Sequence, residues 1–95
     1  MLKRLENLSE PLTIRLASGK TATRWTRREK PEVNHWYQLR LSVDYWKIQK
    51  DFHSPETNQT YYRIVEYING DLIYSGKSLA QCRELIRENT YMMVV

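Results

Sequence analysis

The stretch YYRIVEYINGDLIYSGKSLAQCRELIREN, residues 61–89, carries a hairpin signal followed directly by a helix signal. Residues 61–68 are rich in Tyr, Ile and Val, which favour extended strands, and residues 71–75 repeat that character. Asn69-Gly70 stands between the two runs, and Asn-Gly is a strong signal for a tight hairpin turn because both residue types accept a positive φ. We therefore expect two antiparallel strands joined at Asn69-Gly70, with Gly76 ending the second strand.

A helix is predicted over Leu79–Asn89. Ser78 is a favourable N-cap because its hydroxyl can accept a hydrogen bond from a backbone N–H of the first turn. The apolar residues at helical spacing are Leu79, Cys82, Leu85 and Ile86. They share one face, while charged and amide side chains cover the other. The pattern is typical of a helix packed on a sheet, and Cys82 is expected to be a buried small hydrophobe.

The N-terminal third predicts a helical turn followed by a hairpin. Leucines three residues apart in residues 2–9 favour a short helical turn. Apolar and polar residues alternate over residues 12–17, which predicts a strand with one apolar face. Ser18-Gly19-Lys20 is typical of a tight turn, and residues 21–26 then form the returning strand. The polar residues 27–34 are interpreted as a loop.

Residues 36–46 have the longest period-two pattern of the chain. Their alternating apolar members are Tyr37, Leu39, Leu41, Val43 and Tyr45. The pattern predicts one long strand whose apolar face shares a core with Ile14, Leu16, Leu85 and Ile86. Trp36 and Trp46 would then lie at the two ends of its other face, about 33 Å apart at roughly 3.3 Å per residue. The mostly polar residues 49–60 are expected to form a loop.

Together these elements predict an α+β fold. We expect an antiparallel β-sheet of about five strands with one C-terminal amphipathic helix packed on a face, and a short N-terminal helical turn. Residues 90–95 could add a last strand. The chain has 95 residues, which fits a single small domain over 1–95.

Composition narrows the class of protein further. The longest uninterrupted apolar run, residues 92–95, is far too short to span a membrane. The N-terminus has no apolar stretch long enough for a secretory signal, so an intracellular, cytoplasmic location is expected. The single cysteine excludes an internal disulfide and a cysteine-built metal cage.

The sequence offers no catalytic or metal-binding pattern. His35 and His53 flank the predicted long strand, and the spacing supplies no third ligand, so no metal is expected. The three glycines are isolated turn residues rather than a phosphate-binding loop. We therefore expect a small non-enzymatic binding protein without a cofactor.

The net charge of +4 is concentrated in the first third of the chain. Residues 15–30 contain six cations and one anion. The candidate nucleic-acid-binding residues are Arg15, Lys20, Arg24, Trp25, Arg27, Arg28 and Lys30. In this interpretation the cations of the basic hairpin and loop neutralise phosphates, and Trp25 stacks on an unpaired base. A nucleic-acid-binding or regulatory protein is the first hypothesis.

A protein–protein interaction module, such as an inhibitor, an adaptor or an accessory subunit, is the alternative. Its surface would be an open sheet edge or the aromatic strand face that includes Trp36, Arg40 and Trp46, because interfaces favour Trp and Arg and an exposed edge accepts a further strand. Neither hypothesis specifies the target or the oligomeric state.

Overall fold

A computed structural model describes residues 12–26 and 28–94, which form seven strands and one helix. The elements are β1 Thr13–Arg15, β2 Thr21–Thr23, β3 Trp36–Gln38, β4 Tyr45–Ser54, β5 Gln59–Glu66, β6 Leu72–Lys77, α1 Leu79–Asn89 and β7 Met92–Val94. The predicted helical turn at residues 2–9 lies outside the described residues.

The strands form two antiparallel sheets instead of the one sheet of about five strands that was predicted. β3, β4, β5 and β6 follow one another in a four-stranded sheet, and β1, β2 and β7 form a three-stranded sheet. The chain between α1 and β7 joins the two, because the Tyr91 N–H donates to the Gln38 carbonyl at 2.9 Å and Leu39 bridges to Thr90. The α+β class with a C-terminal helix is confirmed.

Helix α1 has the predicted bounds because its start signal is local. The Ser78 hydroxyl accepts from the Gln81 N–H at 3.1 Å, and the Gln81 side chain accepts from the Ser78 N–H at 3.0 Å. This reciprocal pair satisfies N–H groups that a helix start otherwise leaves without partners. Within the described residues, no helix has the length and apolar character needed to cross a membrane.

The core lies between α1 and the four-stranded sheet. Ile48 and Ile64 are opposite each other on β4 and β5, and both are fully buried against Cys82 and Ile86 of the helix. The half-buried side chains around them are Trp25, Val33, Tyr37, Trp46, Tyr62, Ile73, Tyr74, Leu79 and Leu85. Each buried isoleucine contributes about 1.5–3 kcal/mol of transfer free energy. The predicted burial of Cys82 is confirmed.

The long strand predicted over residues 36–46 is wrong. The chain reverses after Gln38, and Leu41 lies in the turn with a φ of 75° and a relative exposure of 106%. Val43 is also exposed, so neither residue belongs to the core. The turn is held by local hydrogen bonds: Ser42 Oγ accepts from the Asp44 N–H at 3.1 Å, and the Asp44 carbonyl accepts from the Leu39 N–H at 2.8 Å. A period-two pattern does not reveal such a reversal, since alternation continues on both sides of it.

The rest of the predicted shared core is only partly present. Ile14, Leu16 and Leu85 are half-buried, whereas Ile86 is fully buried. Ile14 is opposite the buried Ala22 in the three-stranded sheet. The apolar face of the first hairpin therefore belongs to a different sheet from the strands on which Ile86 packs.

The loop predicted over residues 49–60 is also wrong, because most of it is strand. β4 continues to Ser54 and β5 begins at Gln59, so residues 55–58 alone form the turn, with Asn58 at a φ of 55°. Polar side chains are compatible with a strand whose outer face meets solvent. The hairpin predicted at Asn69-Gly70 is confirmed, with Gly70 at a φ of 68°, but β6 continues through Gly76 to Lys77 and does not end at Gly76.

Candidate nucleic-acid interface

The first hairpin carries two exposed cations at its tip. The Leu16 N–H donates to the Lys20 carbonyl at 2.8 Å, and Gly19 takes a φ of 88° in the turn. Ile14 shares a face of the sheet with its buried partner Ala22, so the neighbouring Arg15 points to the opposite, exposed face. Lys20 is exposed as well, and the predicted basic hairpin is therefore present.

Trp25 is half-buried and is held at the junction of the two sheets. Its indole N–H donates to the Thr90 hydroxyl at 3.1 Å. Its ring meets Tyr37 edge to face, with the ring centroids 5.1 Å apart. The polar edge of Trp25 and part of its ring thus make contacts inside the protein. These contacts limit the area of the ring on which a base could stack.

The loop after the first hairpin runs along helix α1. Arg83 Nε donates to the Pro31 carbonyl at 3.2 Å, and an Arg87 Nη donates to the Glu29 carbonyl. Pro31 is buried under these contacts, whereas Arg28 and Lys30 are exposed. Arg27 lies outside the described residues.

Cations from separate parts of the chain converge on one surface beside α1. The helix-side basic surface consists of Arg24, Lys30, Arg40, Arg83 and Arg87. It contains two adjoining clefts that share Arg87. A cleft of about 320 Å³ is lined by Arg24, Arg40 and Arg87, and one of about 370 Å³ by Lys30, Arg83 and Arg87.

Backbone carbonyls position several of these guanidinium groups. An Arg40 Nη donates to the Glu88 carbonyl, in the last turn of α1, just as Arg83 and Arg87 donate to the loop. These bonds fix the orientation of the guanidinium groups. The carboxylates that line the two clefts are Glu84 and Glu88, against five cations.

The sequence predicts only part of this surface. Arg24 and Lys30 belong to the predicted basic segment of residues 15–30, whereas Arg40 belongs to the alternative hypothesis. Arg83 and Arg87 belong to the charged face predicted for the helix. Their i, i+4 spacing places both on one stripe of α1, and that spacing was the available signal.

The three residues of the alternative do not form one surface. Trp36 pairs with Lys47 while Tyr37 pairs with Trp46, so Trp36 and Trp46 lie on opposite faces of the sheet, not at two ends of one face. Trp46 faces the core and meets Tyr74 edge to face at 6.0 Å. Arg40 binds the end of α1 through its backbone N–H, which donates to the Asn89 carbonyl at 2.9 Å.

Two carboxyl groups, Asp44 before β4 and Glu66 at the end of β5, share a hydrogen bond. Burial favours a raised pKa for Asp44, but the N–H groups of Ile68, at 3.0 Å, and Tyr45, at 2.8 Å, outweigh it and lower that pKa. For Glu66, the amide of Asn69 favours a lowered pKa, but the hydrogen bond and charge of Asp44, together with burial, raise it. The pair ties the turn before β4 to the loop after β5.

The described residues contain no group of three or more His, Cys, Asp or Glu side chains that could hold a metal ion. His35 lies 3.4 Å from a Glu32 oxygen, and His53 Nδ1 lies 2.9 Å from the Thr60 hydroxyl. The two histidines are thus in separate polar settings on the surface.

No protein-family model, curated protein or solved structure matches this chain. What the protein binds must therefore be inferred from its own surface.

Proposed function

We propose that this protein is a non-enzymatic nucleic-acid-binding protein that contacts phosphates through the helix-side basic surface. The observation that carries the proposal is the convergence of Arg24, Arg40 and Arg87 in one cleft, with Lys30 and Arg83 in the adjoining cleft. These residues are far apart in the sequence, and the fold brings them together.

The chemistry of this surface is better suited to binding phosphate groups than to binding a small substrate. A guanidinium presents several N–H donors in a planar fork that matches phosphate oxygens, and each neutralised phosphate releases counterions. The first hairpin and its loop carry three further exposed cations, Arg15, Lys20 and Arg28. These would extend the contact along the nucleic-acid backbone. Because Trp25 is engaged with Thr90 and Tyr37, phosphates rather than a base on Trp25 are the proposed contacts at this site.

Salt-dependent binding of labelled nucleic acid tests the proposal. The test variant combines Arg24→Gln with Lys30→Gln, and the matched control combines Lys50→Gln with Lys77→Gln, which removes the same charge from residues that line neither cleft. Each lost phosphate contact lowers the slope of log K against log salt by about 0.7–0.9. We expect the test variant to bind more weakly with a slope shallower by about 1.4–1.8, and the control to change much less.

Two results would contradict the proposal. One is no binding by the wild-type protein at about 50 mM salt, where phosphate contacts are strong. The other is an equal loss in the two double variants, because that would mean that the net charge acts without a defined surface. In either case the protein-interaction module remains as the second hypothesis, to be tested at Trp36 and the sheet edges.

A further inference from the structure

The four-stranded sheet has a second face, turned away from helix α1, that carries exposed aromatic rings. Ile48 and Ile64 point toward the helix, so Lys47 and Gln49 on β4, and Arg63 and Val65 on β5, point the other way. Contiguous exposed apolar groups on a protein surface often mark a site of interaction.

The rings form two groups at opposite ends of this face. In the first group, Tyr67 meets Trp36 at 5.1 Å and Tyr45 at 6.0 Å, both edge to face. In the second, Phe52 stacks on Tyr61 with centroids 4.9 Å apart and planes 28° from parallel. Tyr61 lies in β5 and Tyr67 directly follows its last residue, Glu66, so the groups are separated by most of the length of this strand, about 17 Å at roughly 3.3 Å per residue.

Two cations share this face, with Lys47 against the first ring group and Arg63 between the two groups. Lys47 Nζ is 4.3 Å from the centroid of the Trp36 ring, and Arg63 Nε donates to the Gln49 side chain at 3.2 Å. Among the described residues, neither cation has a carboxylate within ion-pair distance. The nearby Asp51 carboxylate accepts instead from the backbone N–H of Gly76, at 3.2 Å.

We propose that this open aromatic face, formed by Trp36, Tyr45, Phe52, Tyr61 and Tyr67 with Lys47 and Arg63, binds single-stranded nucleic acid. The inference rests on the proposed function and deepens it by naming the class of nucleic acid. Bases stack on the exposed rings, and the phosphates between them meet Lys47 and Arg63. A duplex keeps its base faces covered, so it cannot use the rings in this way.

Charge complementarity favours a nucleic acid over an apolar protein segment on this face. An apolar peptide would cover the rings but would bury two cations without a counter-charge, which is costly. A strand of nucleic acid supplies a base for each ring and a negative charge for each cation. Tyr67 and Phe52 are 60% and 48% exposed, so they are accessible without any rearrangement of the fold.

The test compares a labelled oligothymidine with an abasic strand of the same length and with a duplex. The abasic strand keeps every phosphate and lacks every base, so it separates stacking from charge. The test variant combines Phe52→Ala with Tyr67→Ala, one ring from each group. The matched control combines Leu41→Ala with Val43→Ala, which removes two exposed apolar side chains from the turn before β4.

We expect the wild-type protein to bind oligothymidine more tightly than the abasic strand. The test variant should lose at least about 10-fold in affinity for oligothymidine, since stacking contributes about 1–3 kcal/mol per base. Its affinity for the abasic strand should stay the same, and the control should behave as wild type. Circular dichroism confirms that each variant is folded.

Equal wild-type affinity for the two single strands would overturn this inference and leave the proposed function standing. An unchanged base preference in the Phe52→Ala and Tyr67→Ala variant would also overturn it, and would assign the face to a protein partner or to residues 1–11 of this chain. No binding to any of the three probes would overturn both proposals. Weaker binding to all three on changing Arg24 and Lys30, with an unchanged ratio of affinities for oligothymidine and the abasic strand, would support both.

Discussion

The indole N–H of Trp25 donates a hydrogen bond to the hydroxyl of Thr90, 65 residues further along the chain, at 3.1 Å. Thr90 is fully buried, and its hydroxyl donates in turn to the carbonyl of Ile86 at 2.7 Å. The two bonds connect the basic segment to the end of α1. They therefore help to hold Arg24 beside Arg87.

Replacement of Thr90 tests this connection. Thr90→Val keeps the shape of the side chain but removes the acceptor for Trp25 and the donor to Ile86. We expect it to lower the free energy of unfolding by about 1–3 kcal/mol, because it leaves a polar group without its partner. Thr90→Ser keeps the hydroxyl and should lose much less. Equal unfolding midpoints for the two variants in denaturant would show that the bond does not stabilise the junction.

Leu41 and Ile64 should respond in opposite ways to truncation. Ile64→Ala opens a cavity in the core and should cost about 2–5 kcal/mol of stability. Leu41 has a positive φ and no burial, so Leu41→Gly should leave stability unchanged or raise it by up to about 1 kcal/mol. Denaturant unfolding of both variants measures this. A loss at Leu41 as large as that at Ile64 would restore the long buried strand that the sequence predicts.

Glu66→Gln should change how stability depends on pH. The raised pKa of Glu66 means that its contribution is fully present below the unfolded pKa and is lost as pH rises through the folded pKa. Gln cannot ionise and can donate to Asp44, whose lowered pKa keeps it charged. The variant should therefore gain stability relative to wild type between about pH 4 and neutral pH.

Unfolding curves at several pH values for Glu66→Gln, wild type and the control Glu56→Gln check this expectation. Glu56 lies on the exposed turn between β4 and β5, so the control removes the same charge away from the pair. A stability difference between Glu66→Gln and wild type that stays flat across the pH range, or falls as pH rises, would argue against the shared hydrogen bond.

Cys82 should react slowly with a thiol reagent in the folded protein. It is fully buried, and this burial raises the pKa of its thiol against the opposing charge of Lys77. The raised pKa lowers the fraction of thiolate, and burial keeps the reagent away from the sulfur, so both slow the reaction. We expect labelling to follow the rate of unfolding, and rapid labelling of the folded protein would place the thiol at the surface.

Local signals explain which parts of the fold could be predicted from the sequence. Helix α1 and the hairpin at Asn69-Gly70 were predicted because Ser78, the apolar spacing and Gly70 act over a few residues. The turn at residues 40–43 was missed because Leu41 takes a positive φ without being Gly or Asn. Ser42 and Asp44, which hydrogen-bond in that turn, were its sequence signal.

The candidate interface could also be predicted from the sequence only in part, but the reason differs from the one that applies to the fold. Charge along the chain indicated Arg24 and Lys30, whereas the convergence of Arg40, Arg83 and Arg87 on the same surface depends on how the loop packs along α1. The sequence pattern places Trp36 and Trp46 on one face of a strand, but their separation by the thickness of the sheet depends on the pairing of β3 with β4. These contacts lie between residues distant in sequence, and periodicity does not report on them.

The most direct measurement of the central claim is an NMR titration of the isotope-labelled protein with a short nucleic acid, followed through the backbone amides and the arginine Nε–H groups. The account predicts saturable shifts that centre on Arg24, Lys30, Arg83 and Arg87 and that weaken as salt is added. Shifts confined to other parts of the protein, or no shifts at low salt, would contradict it.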